Sequence, residues 1–171
     1  IDDPYFKKLT DNIYKAGQRL SESLSLILDL SRIEADKLTL NLEDVDLIDV
    51  VLESTGYFDQ EIVKKGLYLN IDTPDEIPIL KSDKRMLLTI VDNLLSNAIK
   101  FTHEGGIDVI VKAEKTDTSP VVNLIIRDTG IGISQDFMDV IFDEFRQVSE
   151  GLDRTYEGVG LGLTIIKKFT E

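Results

Sequence analysis

A chain of 171 residues has the length of one ordinary domain with room for a helical appendage, and a hydrophobic share of 42% supplies a core. The net charge of −13 argues against nucleic acid or an anionic membrane as partner, because phosphate surfaces reward Lys and Arg. There is no cysteine, which excludes disulfides and thiolate metal sites and suits a reducing compartment. No apolar run approaches the ~20 residues that span a bilayer, so no direct membrane contact is expected of this segment.

In chain order, the spacing predicts one long helix from Pro4 to Ala35. Pro4 suits a first helical turn. Ile13, Leu20 and Ile27 recur every seven residues, with Ala16, Ser23 and Leu30 as a companion row, which reads as a seam for packing against other helices. The plain alternative is a surface helix covering its own domain. Leu38 to Leu42 alternates as an edge strand would. Asp46 is a candidate N-cap, followed by Ile48, Val51, Leu52, Thr55, Phe58 and Ile62 at helical spacing, with Gly66 as the stop. Leu67 to Ile71 reads as a strand, and Ile77 to Leu80 as a short one. Asp83 is placed to cap a helix carrying Asn93 to Lys100, which Gly105 and Gly106 end. Ile107, Val109, Val111 and Ala113 alternate with polar residues, as do Val122, Leu124 and Ile126, predicting an antiparallel hairpin. Ser134 is expected to cap a helix running through Phe145. Residues 146–157 read as a mobile loop, and a last helix runs from Gly160 or Leu161 toward Phe169. This order of elements implies an α+β sandwich with a mixed sheet on one side and helices on the other.

Four short segments carry the chemistry. In the first, Asn93 to Thr102, Asn93 and Asn97 share one helix face with Lys100. An amide oxygen is a hard ligand suited to Mg²⁺, and an ammonium suits phosphate oxygens. A helix turning its polar face to water has the same pattern. In the second, Asp128 to Ile133, Gly130 and Gly132 permit close approach beside a carboxylate, as an ordinary Asp-x-Gly turn also does. The third is Phe142-Asp143-Glu144-Phe145. In the fourth, Gly158 to Leu163, glycines precede a helix whose N-terminal N–H groups favour anions. The spacing fits neither a dinucleotide fingerprint nor a Walker loop.

Together and in this order the four segments resemble the N, G1, F and G2 boxes of sensor histidine kinases, within the GHKL superfamily of Bergerat-fold ATPases. Leu28 to Leu38 resembles the end of that family's second dimerisation helix. The resemblance implies a two-layer α/β sandwich preceded by one helix of a dimerisation bundle. Residues 1–40 would be the helical segment and 41–171 the ATP-binding catalytic domain. It implies ATP and Mg²⁺ as cofactors, with Asn97 holding the metal, Asn93 supporting the phosphates and Lys100 meeting them. Phe101 would lie against the adenine and Asp128 would accept from its exocyclic amine. Gly130, Gly132, Ile133, Gly158, Gly160, Leu161 and Gly162 would complete the nucleotide site; Arg146 and Gln147 begin the lid, and one of the two would reach the γ-phosphate. Phe142 and Phe145 would pack the base of that lid against the core.

The implied partners are a second copy, through the bundle, and the receiver domain of a response regulator, docking near Ser21 to Ser31. The implied location is cytoplasmic; the chain lacks an initiator Met, as a segment of a longer protein or a processed chain would, and a longer parent could be soluble or carry a membrane sensor upstream. The only histidine, His103, follows the N box rather than lying on a first bundle helix, so the phosphoacceptor is expected outside this chain. Further strands are expected after Glu171, and Met86 and Thr89 stand where many relatives carry Arg and Gln. The other classes are a superfamily ATPase of the gyrase, chaperone or mismatch-repair kind, a protein-serine kinase of the anti-sigma type, and an inactive scaffold.

Overall fold

A computed structural model describes residues 4–35, 37–115, 120–144, 146 and 160–170. Helix α1 (Pro4–Glu34) is followed by strand β1 (Glu43–Val45), helix α2 (Leu47–Lys65), strands β2 (Tyr68–Asp72) and β3 (Leu80–Ser82), and helix α3 (Lys84–Phe101). Strands β4 (Gly106–Lys115) and β5 (Pro120–Asp128) come next, and helix α4 (Gly162–Thr170) closes the order.

The main sheet is mixed: β2 runs parallel to β4, and β4 antiparallel to β5. Its register pairs Val109 with Ile126, Val111 with Leu124 and Ala113 with Val122. The two alternating runs therefore present one common apolar face. Helices α2 and α3 cover that face. Val50, Val51, Phe58 and Ile62 from α2 meet Val91, Leu95, Ala98 and Ile99 from α3 over Ile107, Val109 and Val111. The expected α+β sandwich, with its long N-terminal helix, is what the chain forms.

Local departures from the predicted elements have local causes. Residues 38–42 form no strand, because pairing begins at Glu43, opposite Ser82. One residue further the partner strand has become the cap of α3, and the backbone N–H of Asn41 donates instead to Asp83 Oδ2 at 3.0 Å. In α2 the buried face contains Leu47 and Val50, while Leu52 is exposed. Asp46 fixes the first turn by accepting from the Ile48 N–H, and that orientation turns Leu52 outward. After Ser134 the chain forms only a 3-10 turn (Gln135–Phe137), without a side-chain cap bond. Met138 and Phe142 stay exposed, so no buried stripe stabilises a longer helix there. Phe145, expected at that helix's end, and nearly all of the expected loop lie outside the described residues.

Helix α1 has two regimes. Its apolar residues Tyr5, Phe6, Ile13, Tyr14, Leu20 and Leu24 are exposed. Its last turns instead pack on α4, where Leu30 joins Leu161 and Ile165 in a second small core flanked by Leu26, Ile33 and Phe169. Asp29 ties the same end to α3, lying 3.5 Å from Arg85 as well as 3.6 Å from Arg32.

Asp83 is the most heavily used cap. Its carboxylate accepts from the Arg85 and Met86 N–H groups and from Asn41, and the residue is buried. Burial pushes its pKa upward, but those N–H bonds and the Arg85 charge outweigh it, so the carboxyl sits below its usual value. A depressed carboxyl stabilises the fold above the unfolded pKa and loses that contribution as pH falls through the folded one. Asp83→Ala is expected to lower stability at pH 7 by about 2 kcal/mol, the sum of a lost cap and a stranded Asn41 N–H. Urea midpoints at pH 7 and in acid check this: the gap from the parent chain narrows as Asp83 is protonated.

Candidate functional site

Helix α3 is the spine of the site. Its amphipathic sequence buries Val91, Leu95, Ala98 and Ile99 and leaves Asn93, Asn97 and Lys100 half-buried at its margin. The Asn93 amide is fixed, since Nδ2 donates to the Thr89 carbonyl at 2.8 Å. The Lys100 ammonium lies 4.8 Å from the centre of the Phe101 ring. Burial lowers the Lys100 pKa from its ordinary value.

The end of α3 meets the turn that follows β5. The Ile131 N–H donates to the Phe101 carbonyl at 3.3 Å. Within the turn, the Gly130 N–H donates to Asp128 Oδ1 at 2.8 Å. A Cβ on Gly130 would lie 2.5 Å from the Phe101 oxygen and 2.7 Å from Asp128 Oδ1, so no side chain fits. Gly132 takes a left-handed backbone, and Asp128, Ile131, Gly132 and Ile133 are all exposed. The turn is stapled from behind by Thr129. Its hydroxyl donates to the Glu104 carbonyl and accepts from the Gly106 N–H, both at 3.0 Å.

The middle of α3 meets the start of α4. Gly160 has φ of 73°, Leu161 is fully buried, and Gly162 opens the helix. A Cβ on Gly162 would lie 2.6 Å from Asn93 Oδ1. The Thr164 hydroxyl donates to the Phe142 carbonyl at 3.0 Å, joining the third segment to the fourth. This corrects the expectation that the Phe142 ring packs into the core: the ring is exposed, and the tie is made by its backbone.

The fold therefore gathers Asn93, Lys100, Phe101, Asp128, Gly130, Leu161 and Gly162 about one helix. Asn97 lies one turn from both Asn93 and Lys100 on α3. Arg146 is exposed, with its N–H directed to the Asp143 carbonyl, and no described contact brings its side chain to α3. Gly158 falls outside the described residues. Three contributors carried no sequence signal: Thr129, Thr164 and Lys65, whose ammonium donates to the Ile99 carbonyl at 2.5 Å.

The chemistry of the donor set fits a magnesium nucleotide. Amide oxygens suit a hard cation, a half-buried ammonium suits phosphate, and backbone without side chains at Gly130 suits a flat base. Among the described residues no group of acidic, histidine or cysteine side chains is placed to hold a metal alone, so a cation there would take most of its ligands from phosphates and water. No helix among the described residues is long and apolar enough to cross a membrane.

The chain is 35% identical to the Non-motile and phage-resistance protein of Caulobacter vibrioides, over 98% of this chain and 20% of that protein. It is also 35% identical to Hybrid signal transduction histidine kinase B of Dictyostelium discoideum, over 95% of this chain and 8% of that protein. It thus spans a fifth or less of the length of these relatives. Among solved structures, full-length ShkA in complex with AMPPNP superposes with a TM-score of 0.76 and 25% identity, covering 96% of this chain and 33% of that one. The profile described as "Histidine kinase-, DNA gyrase B-, and HSP90-like ATPase" matches residues 82–171. That match takes in α3, the Asp128 turn and the glycines before α4, over more than half the chain, and the chain belongs to this ATPase family as an ATP-binding catalytic domain of the sensor histidine kinase type.

Proposed function

We propose that this chain is the Mg-ATP-binding segment of a sensor histidine kinase in a two-component pathway. Residues 1–40 belong to its dimerisation bundle and residues 41–171 to its catalytic domain. The observation that carries the reading is the joint between the end of α3 and the Asp128 turn. Phe101 O holds the Ile131 N–H, and Gly130 leaves no side chain beside the Asp128 carboxylate. Asp128 Oδ1 already accepts from Gly130, so Oδ2 takes the adenine amine while Phe101 lies against the ring. Lys100 meets the phosphates, with Asn93 supporting them. Arg146 or Gln147 reaches the γ-phosphate, and the glycines before α4 leave backbone N–H groups at its N-terminus free of side chains for the phosphates. Asn97 holds Mg²⁺, which when bound neutralises developing charge on the phosphates.

The reaction in the whole protein breaks the bond between the γ-phosphorus and the β–γ bridging oxygen of ATP. A new bond forms to a histidine nitrogen outside this chain, which loses its proton to a base, and ADP leaves. The phosphoryl group then passes to an aspartate of a response regulator. This chain's share is positioning and charge neutralisation, which is most of what phosphoryl transfer asks of a protein. The exposed apolar face of α1 supports pairing with a second copy through the helical bundle, in a cytoplasmic portion of the parent protein.

Calorimetric titration of ADP and a non-hydrolysable ATP analogue, with and without Mg²⁺, tests the reading. Binding strengthened by Mg²⁺ and weakened about tenfold or more in Asp128→Asn is the expected result, for one lost charged hydrogen bond. No binding by a folded chain would move the scaffold reading ahead.

A further inference from the structure

The last turn of α3 ends in carbonyls that an α-helix leaves without intrahelical donors. Three donors serve the four of them. The Ala98 carbonyl accepts from the Thr102 N–H, and the Phe101 carbonyl accepts from the Ile131 N–H. The two between them, Ile99 and Lys100, both accept from the ammonium of Lys65, at 2.5 and 3.4 Å. Lys65 is the last residue of α2, and its position is set by backbone geometry. Gly66 has φ of 70°, its N–H returns to Val63 O, and the Leu67 N–H returns to Ile62 O. That left-handed double closure ends α2 abruptly. Ile62 and Leu67 are both buried beneath it. The closure fixes the Lys65 backbone, and from there the side chain reaches across to the neighbouring helix.

We propose that Lys65 is a positioning residue of the nucleotide site, clamping the α3 turn that carries Lys100 and Phe101 and, through the Phe101 carbonyl, the Asp128 turn. A cation at a helix C-terminus is favourable in itself, and these bonds are charge-assisted. A lysine on the exposed surface would otherwise serve only solvation. Here it donates to the Ile99 and Lys100 carbonyls, directly behind the residues assigned to the phosphate and the base. The role in binding rests on the nucleotide reading above; the clamp itself does not.

The test uses Lys65→Met, which keeps the apolar stem, and Lys65→Arg, which keeps a charged donor. Amide hydrogen exchange on the ligand-free chain reads the clamp without any nucleotide. Protection of the Thr102 and Ile131 amides is expected to fall about tenfold in Lys65→Met, the equivalent of one charged hydrogen bond, and to recover in Lys65→Arg. Protection at Val109 and Val111 in the sheet stays unchanged. Calorimetry then reads the consequence: ADP affinity falls about tenfold in Lys65→Met and returns in Lys65→Arg. Unchanged protection at Thr102 and Ile131 would overturn the clamp. A parent chain that binds no nucleotide would overturn the nucleotide reading and leave the clamp to the exchange data. Equal ADP affinity in parent and Lys65→Met would overturn the positioning role.

Discussion

Lys100→Met is expected to lower the affinity of this chain for ATP about a hundredfold while leaving its fold as stable as before, or more so. Two arguments point to this separation. The ammonium is half-buried, and burial lowers its pKa from the ordinary lysine value. Its placement 4.8 Å over the Phe101 ring offsets part of that desolvation, since an exposed cation–π contact is worth about 0.5–1 kcal/mol, but the net shift is downward. The charge is therefore a burden on the ligand-free fold and becomes useful when phosphate oxygens arrive. A methionine fills much the same space without that burden.

The pH dependence has a definite sign. Between the lowered folded pKa of Lys100 and its ordinary unfolded value, the unfolded chain binds the proton more tightly than the folded one. Stability attributable to this residue therefore rises with pH through that alkaline window, and Lys100→Met lacks the rise. Denaturant midpoints of the two chains, compared from neutral to alkaline pH, converge at the upper end if Lys100 is the group responsible. Adenosine, which has no phosphate, is expected to bind both chains alike. Equal loss of adenosine and ATP would point to damage at the base pocket and sink the phosphate role.

Much of the architecture was legible because it is written locally. Asp46 and Asp83 precede apolar periodic runs, and both cap helices. Gly66 stands where a left-handed residue must, and it takes φ of 70°. The alternation in β4 and β5 placed both strands and the face they share. The candidate site was legible for a related reason. Glycines beside a carboxylate and before a helix mark places where backbone must come close, and Gly130 and Gly162 are both such places.

What the sequence hid depends on partners far along the chain. The Thr129 hydroxyl bonds to the backbone of Glu104 and Gly106, Thr164 to Phe142, and Lys65 to Ile99. Threonine and lysine have no spacing rule that announces a remote carbonyl. The Ser54 hydroxyl likewise donates to the Asp92 carboxylate between α2 and α3, beside Asn93, with nothing in either helix pattern to single it out. The docking of the end of α1 on α4 was hidden too. Leu30 fits a heptad seam as well as it fits the small core where it is buried, and periodicity does not distinguish the two.

Gly162→Ala is expected to destabilise the chain by about 1 kcal/mol and to reduce ATP binding about a hundredfold, although alanine is ordinarily the better helix former. The new Cβ would lie 2.6 Å from Asn93 Oδ1, well inside contact distance. The Asn93 side chain yields more easily than α4, at the cost of its hydrogen bond. The Asn93 amide is held by its bond to Thr89, and α4 is held by fully buried Leu161 and Ile165 and by the Thr164 bond to Phe142. If α4 lifts, the small core it shares with Leu30 opens and α1 loses its seat. If Asn93 swings away, a residue assigned to the phosphates leaves the site. Either response couples packing to binding, and a double-mutant cycle separates them. Asn93→Ala removes the obstructing atoms, so Gly162→Ala in that background should regain most of the lost thermal stability. It should not regain nucleotide binding, because the amide is gone. Recovery of neither would place the strain of Gly162→Ala elsewhere in the α4 start. Recovery of both would show that Asn93 serves packing alone.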